Sequence, residues 1–155
     1  MFGMKNKTQA GWAPSRCGAV LSATLAALAL PAPHAAAAEP VPLTLELNKL
    51  EPQNGGCRLY TLVENRSEIS YQSLKLDLVL FRPDGIIGKR VTVELAPIPA
   101  DKRSLKVFDV DKTACESIGS VLVNEILACA TSAGPADNCL ARLTLKSLAG
   151  IQLMK

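Results

Sequence analysis

One histidine and one tryptophan occur in the 155 residues of this chain, and both lie before residue 39. Histidine is the usual general base near neutral pH and a common metal ligand. Its absence from residues 39–155 excludes a Ser-His-Asp or Cys-His catalytic arrangement there. We therefore expect residues 39–155 to form a non-enzymatic domain with no cofactor and no metal. A hydrolase that uses carboxylates or lysine alone stays open as a minor alternative.

Membrane-spanning hydrophobic runs are also missing. The apolar, uncharged stretch Gly18–Leu30 has thirteen residues, and a helix needs about 20 to cross a bilayer. Basic residues precede this stretch, and Pro31 and Pro33 follow it. A positive start, a short apolar run and helix-breaking prolines are typical of a secretory signal peptide.

The cleavage site of that signal peptide is indicated by small residues. Ala36 and Ala38 fit the A-x-A rule, so we predict a cleavable signal peptide over residues 1–38 and a mature domain over residues 39–155. An uncleaved N-terminal anchor is the alternative. We expect a periplasmic or secreted protein that uses the general secretory route, with no integral membrane segment after cleavage.

The charge of the mature domain is balanced. Three of the seventeen Lys and Arg lie before residue 39, which leaves fourteen against fourteen Asp and Glu. Basic pairs occur at Lys89-Arg90 and Lys102-Arg103 without interleaved aromatic residues. Nucleic-acid binding is not expected from this pattern.

Four cysteines follow residue 38: Cys57, Cys115, Cys129 and Cys139. An even number in a small exported domain predicts two disulfides, for which three pairings are possible. We favour Cys129–Cys139, which closes a turn-like loop, and Cys57–Cys115. A four-cysteine zinc site is the alternative, but it would require close C-x-x-C pairs that the chain lacks.

Most of the mature sequence alternates between apolar and polar residues, which is typical of half-buried strands. In the clearest strand, residues 74–81, the leucines at even positions face one way, toward the predicted core. The predicted strands are residues 43–47, 57–64, 74–81, 87–95, 104–110, 121–129 and 139–146.

Seven short strands separated by turns favour a single antiparallel β-sandwich of immunoglobulin-like type. One short helical turn is expected near residues 112–118. The segment at residues 121–129 also has apolar residues at helical spacing, so a helix stays open there.

Several strand and turn features lie together between Leu62 and Val110. They are Val63-Glu64-Asn65, the strand at residues 74–81, Asp84-Gly85, the loop APIPADK and the strand after it. This stretch resembles FxLYD-type immunoglobulin-like domains of bacterial envelope proteins, and the mature chain is similar to small exported proteins of proteobacteria. The resemblance implies a sandwich fold and an envelope setting.

Candidate binding residues follow from the strand parity. If the even-numbered leucines of residues 74–81 fill the core, Val79 and Phe81 face outward, and the same argument places Tyr60 and Phe108 near them. Exposed aromatic residues without a core role are candidates for contacting a partner. The alternative is that another segment covers them.

The function expected from these features is a binding or interaction module. A protein partner in the cell envelope is the leading expectation. The second possibility is a module that binds a small molecule, lipid or glycan in a cleft between sheets or loops.

Overall fold

The computed structural model describes residues 43–155, and the predicted signal peptide lies outside the described residues. These residues form nine strands. They are β1 (Leu43–Gln53), β2 (Gly56–Asn65), β3 (Tyr71–Phe81), β4 (Ile87–Glu94), β5 (Lys102–Asp111), β6 (Ser120–Thr131), β7 (Gly134–Pro135), β8 (Thr144–Ser147) and β9 (Gln152–Met154). A 3₁₀ turn (Cys115–Ser117) precedes β6, and a one-turn helix, α1 (Cys139–Arg142), follows β7.

The strands form two sheets, which confirms the predicted all-β sandwich. The first sheet has the order β5-β2-β1-β8, and the second has the order β4-β3-β6 with β7 and β9 both paired to β6. Strands 1, 2 and 5 thus share one sheet and strands 3, 4 and 6 share the other. In constant-type immunoglobulin domains the fourth strand lies with the first, second and fifth, so the place of β4 in the second sheet differs from that arrangement.

The sheets are mixed, not purely antiparallel as predicted. β8 runs parallel to β1, and β9 runs parallel to β6. Both strands belong to the last twelve residues of the chain, which add one short strand to each sheet. Because β9 has only three residues, its apolar pattern is too short to identify a strand in the sequence.

The core lies between the sheets and consists mainly of leucine and valine. The even-numbered leucines of β3, from Leu74 to Leu80, are each at most 3% exposed, as the alternation predicts. Leu45, Leu59 and Val63 face them from the first sheet and are equally buried. Leucine and valine therefore fill this core with little aromatic content.

Two predicted elements need correction and two are confirmed. The predicted strand at residues 139–146 begins only at Thr144, because Asn138 is left-handed (φ 57°) and α1 follows it. The first strand continues to Gln53, since the turn after it contains only Asn54 and Gly55. The 3₁₀ turn lies within the predicted range of residues 112–118, and residues 121–129 belong to a strand.

Both predicted disulfides are present. The bond between Cys57 and Cys115 joins β2 to the 3₁₀ turn, 58 residues away along the chain. The bond between Cys129 and Cys139 joins β6 to α1 across ten residues. Two such bonds are typical of an oxidising, non-cytoplasmic compartment. Neither helical segment within residues 43–155 has the length and hydropathy to cross a membrane.

Candidate interaction surfaces

The four candidate binding residues do not form one surface. Val79 and Phe81 lie on β3 in the second sheet, whereas Tyr60 and Phe108 lie on β2 and β5 in the first sheet. Alternation separates the two faces of one strand, but it does not relate positions in one sheet to positions in the other. A binding role for each residue therefore has to be considered separately.

Phe108 faces the interior. It pairs with Leu59, which is 1% exposed, and it packs against the core. Val79 lies on the outer side of β3 and is nevertheless only 8% exposed, between Arg90 and Leu122 on the neighbouring strands. Neither residue offers much area to a partner in this conformation.

Phe81 lies at the base of the turn that connects β3 and β4. It pairs with Ile87 and stays partly exposed outside the core cluster. Ile87 is 62% exposed, and Ile86 beside it is 56% exposed. We call these three residues, Phe81, Ile86 and Ile87, the hairpin surface.

Hydrogen bonds fix the hairpin turn. The amide of Gly85 donates to the carbonyl oxygen of Arg82 at 2.9 Å, and the amide of Arg82 donates to the carbonyl oxygen of Ile86 at 2.8 Å. Gly85 has a φ of 79°, a conformation that glycine adopts without strain. The Asp84 carboxylate accepts a bond from the Ile86 amide at 3.0 Å. The turn is therefore ordered before any partner arrives.

The charges of the turn neutralise one another. Arg82 donates to both oxygens of Asp84, at 3.3 and 3.0 Å. The Ile86 amide, and secondly the Arg82 guanidinium, hold the pKa of Asp84 below its usual range. The carboxylate beside the two exposed isoleucines is therefore matched by a cation of the same turn.

A second apolar area covers the outer side of the first sheet at β5. Leu105 is 57% exposed and Val107 is 46% exposed, and they pair with Leu62 and Tyr60 on β2. We call these four residues, Tyr60, Leu62, Leu105 and Val107, the edge surface. The prediction included Tyr60 and missed the other three, because alternation along β5 does not by itself say which alternate set faces outward.

Ion pairs border the edge surface. Arg58 donates to both carboxylate oxygens of Asp109, at 2.7 and 2.9 Å, and so lowers the pKa of that carboxyl. The Tyr60 hydroxyl donates to Glu51 at 3.2 Å. The ammonium of Lys49 pairs with Glu51 and lies 5.0 Å from the centre of the Tyr60 ring. Tyr60 is thus held in place by charged neighbours on its own sheet.

No protein-family model, curated protein or solved structure matches this chain.

The space between the sheets is nearly filled. A cavity lined by apolar side chains that include Leu59, Leu76 and Phe108 has a volume of about 10 Å³. A single water molecule needs about this much. This cavity therefore has no room for a metabolite, lipid or glycan. A shallow cleft of about 420 Å³ lies at the surface beside Cys115, lined by turn residues such as Gly55 and Lys112.

Six of the acidic residues within residues 43–155 pair with a basic side chain. Asp84 and Asp109 each pair with an arginine, as described above. Among residues 43–155, no group of three or more His, Cys, Asp or Glu side chains is arranged to hold a metal ion. The exposed apolar residues are therefore the features of this part of the chain that most need an explanation.

Proposed function

We propose that this protein is an exported, non-enzymatic β-sandwich that binds a protein partner in the cell envelope through its hairpin surface. The observation that carries the proposal is the exposure of Ile86 and Ile87 side by side on an ordered turn, next to Phe81. Large apolar side chains held in a fixed geometry are the typical anchors of protein interfaces.

The rigidity of the turn supports this proposal. Gly119, which directly precedes β6, lies close to the backbone of the turn. Its amide donates a hydrogen bond to the carbonyl oxygen of Phe81 at 2.7 Å. The backbone of the two isoleucines is therefore ordered before a partner binds, which lowers the entropy cost of association.

The chemistry of the surface indicates what kind of partner fits. The Arg82–Asp84 pair is neutral as a unit, and the exposed groups beside it are aliphatic. An apolar pocket on a folded protein matches two adjacent isoleucines. A small ligand would need a concave site, whereas these side chains project from a convex turn.

The proposal is tested by photo-cross-linking in the native host. A photoreactive amino acid replaces Ile87 in the tagged full chain, and a matched chain carries it at Leu148, which is 69% exposed beyond β8. We expect one protein to be cross-linked from position 87 and not from position 148. We also expect the purified partner to bind the wild-type and Leu148→Ser chains equally. It should not bind the Ile86→Ser/Ile87→Ser chain.

Two results would contradict the proposal. One is a partner that binds the Ile86→Ser/Ile87→Ser chain as tightly as the wild type, since the hairpin would then play no part. The other is recovery of a bound metabolite or glycan in place of a protein. That result would favour the ligand-binding alternative, and the cleft beside Cys115 would be the place to look for the site.

A further inference from the structure

Among residues 43–155, β5 is an edge strand with one side unpaired. It pairs with β2 on one side and ends the first sheet, and ten consecutive residue pairs join the two strands without a register shift. Proteins usually protect such edges with proline, bulges, short strands or charged side chains, some of them turned inward. Of these devices β5 has the charges, and Lys106 is one that faces inward. Residues 102–111 contain no proline or glycine. The edge strand of the second sheet, β4, differs because its pairing is interrupted near Gly88.

The outward side chains of β5 follow from its pairing with β2. Val110 pairs with Cys57, which is fully buried, so the even-numbered positions of β5 face inward. The outward set is the alternate one: Arg103, Leu105, Val107, Asp109 and, at the end of the strand, Asp111. From Arg103 to Asp109 this set begins with a cation, has two aliphatic residues in its middle and ends with an anion.

That order is complementary to itself when the strand is reversed. We infer that a second copy of this chain pairs with the free edge of β5, antiparallel and about a twofold axis at Lys106. Arg103 then lies opposite Asp109 of the second copy, and Leu105 lies opposite Val107 of the second copy. The two first sheets become one continuous sheet of eight strands, and the hairpin surface plays no part in this contact.

The rows across this joined sheet are matched in charge and polarity. Within one copy, Arg58 is bonded to Asp109, and Glu64 lies opposite Arg103. Pairing of the copies therefore places these four residues in one row of alternating sign. The edge surface forms the adjacent row, in which Tyr60 and Val107 of one copy continue into Leu105 and Leu62 of the other. Cross-strand pairs of both kinds stabilise sheets.

Neighbouring registers are poorer. The side chains of residues that lie opposite each other must be on the same face of the sheet, so the register can change only by two residues at a time. A shift in one direction places Leu105 opposite Asp109 of the second copy. A shift in the other direction places Val107 opposite Arg103 of the second copy. Each of these registers opposes an aliphatic residue to a charge.

Lys106 opposes this association. The proposed register places it opposite Lys106 of the second copy, and like charges that lie directly opposite each other on neighbouring strands are unfavourable. Its ammonium donates to the Pro97 carbonyl of its own chain at 3.0 Å, in an exposed position. Lys106→Thr is therefore expected to tighten the dimer.

The inference is tested by sedimentation of the full chain, purified with its disulfides intact, over a range of concentrations. We expect a dimer that dissociates on dilution. Leu105→Lys and Val107→Glu should each weaken it by about tenfold, because two symmetry-related pairs are lost. Leu148→Ser, at another exposed leucine, should leave the dissociation constant unchanged.

Mixing the two weakened variants tests the register itself. Lys at position 105 of one chain would lie opposite Glu at position 107 of the other, so the mixture should form heterodimers more tightly than either variant forms homodimers. A monomer at every concentration would overturn the inference. So would a dimer that both variants leave intact, or a mixture without heterodimers.

Discussion

Asn65 shows how one buried polar side chain organises a whole loop. It is 1% exposed, and its amide nitrogen donates to the carbonyl oxygens of Ile69 and Pro99, each at 2.9 Å. Its side-chain oxygen accepts from the amide and the hydroxyl of Ser67. In the sequence, Asn65-Arg66-Ser67 fits a glycosylation sequon as well as a turn. The structure favours the turn, because the amide is buried and fully used.

Replacing Asn65 with alanine should therefore be costly. The change leaves buried hydrogen-bonding groups of the loop without a partner, and we expect a loss of about 2 kcal/mol in the free energy of unfolding. Urea denaturation measures this, with Gln72→Ala as a control at an exposed position. Equal stability of the two variants would mean that water replaces the Asn65 bonds.

Asp77 is a buried carboxylate on the outer side of β3. It is 2% exposed and accepts two bonds from Arg90, at 2.7 and 2.8 Å, and one from Asn124 at 2.7 Å. Arg90 first, and then Asn124, hold the pKa of this carboxyl below its ordinary value. A carboxyl whose pKa is lower in the folded state stabilises the protein while it is ionised.

The stability from Asp77 should depend on pH in a definite direction. It is present above about pH 4, the ordinary pKa of an aspartate, and is lost as the pH falls through the lower folded pKa. We expect Asp77→Asn to lower the free energy of unfolding at pH 7 and to flatten its decrease in acid. Arg90→Gln should act in the same direction. Unchanged acid profiles in urea titrations would contradict this account.

At the scale of elements, the hairpin between β3 and β4 depends on a close backbone contact. A Cβ atom at Gly119 would lie 2.7 Å from the Cα of Pro83 and 2.9 Å from the carbonyl carbon of Arg82. Both are backbone atoms, so they cannot move aside as a flexible side chain would. Glycine at this position is therefore required for the turn to pack against the start of β6.

Gly119→Ala should displace the turn. Overpacking of this kind costs about 1–3 kcal/mol, and we also expect weaker binding of the partner through the hairpin surface. Gly150→Ala is not a matched control because Gly150 has a φ of 77°; Ser120→Ala at the neighbouring position serves instead. Thermal unfolding and partner affinity, measured together, check the prediction. Full affinity in the alanine variant would show that the turn tolerates the shift.

The disulfides differ in the length of chain that each closes. The Cys57–Cys115 bond spans 58 residues and the Cys129–Cys139 bond spans ten. On chain-entropy grounds they stabilise by about 4 and about 3 kcal/mol. Replacing each pair with alanine should lower the free energy of unfolding in that order, as measured in urea. The reverse order would mean that native contacts around Cys139, and not loop length, dominate.

The elements that could be predicted are those with long alternating patterns. β3 was predicted because a leucine occupies every second position from Leu74 to Leu80, and β4 because a turn sequence precedes it. The helix α1 was missed, since Leu143 and Leu145 alternate with polar residues as in a strand when residues 139–146 are read alone. Its start depends on the left-handed Asn138, which the sequence pattern does not reveal.

The candidate site was predicted only in part, for a related reason. Alternation identifies two faces of a strand but not which one is buried. On β5 the answer depends on Cys57, which is buried opposite Val110 and fixes the inward face. That long-range pairing is absent from local periodicity, so Phe108 was expected outside while Leu105 and Val107 were not considered as surface residues.

At the scale of the whole molecule, two disulfides hold a filled sandwich that presents two separate apolar surfaces. The hairpin surface is proposed to bind a partner, and the edge strand is inferred to bind a second copy. With both roles, the protein would be a twofold-symmetric dimer that has one partner-binding site on each copy. Both roles require the chain to leave the reducing cytoplasm, because its disulfides form and persist in an oxidising compartment.

The most direct test of this account is the intact mass of the protein that its own host accumulates. We expect a chain that begins at Glu39 and is four hydrogen atoms lighter than its reduced form, with no thiol available for alkylation. Such a mass would establish cleavage and both disulfides at once. A chain that keeps residues 1–38, or one with four alkylatable cysteines in protein recovered without reductant, would contradict the claim that this is an exported, disulfide-bonded module.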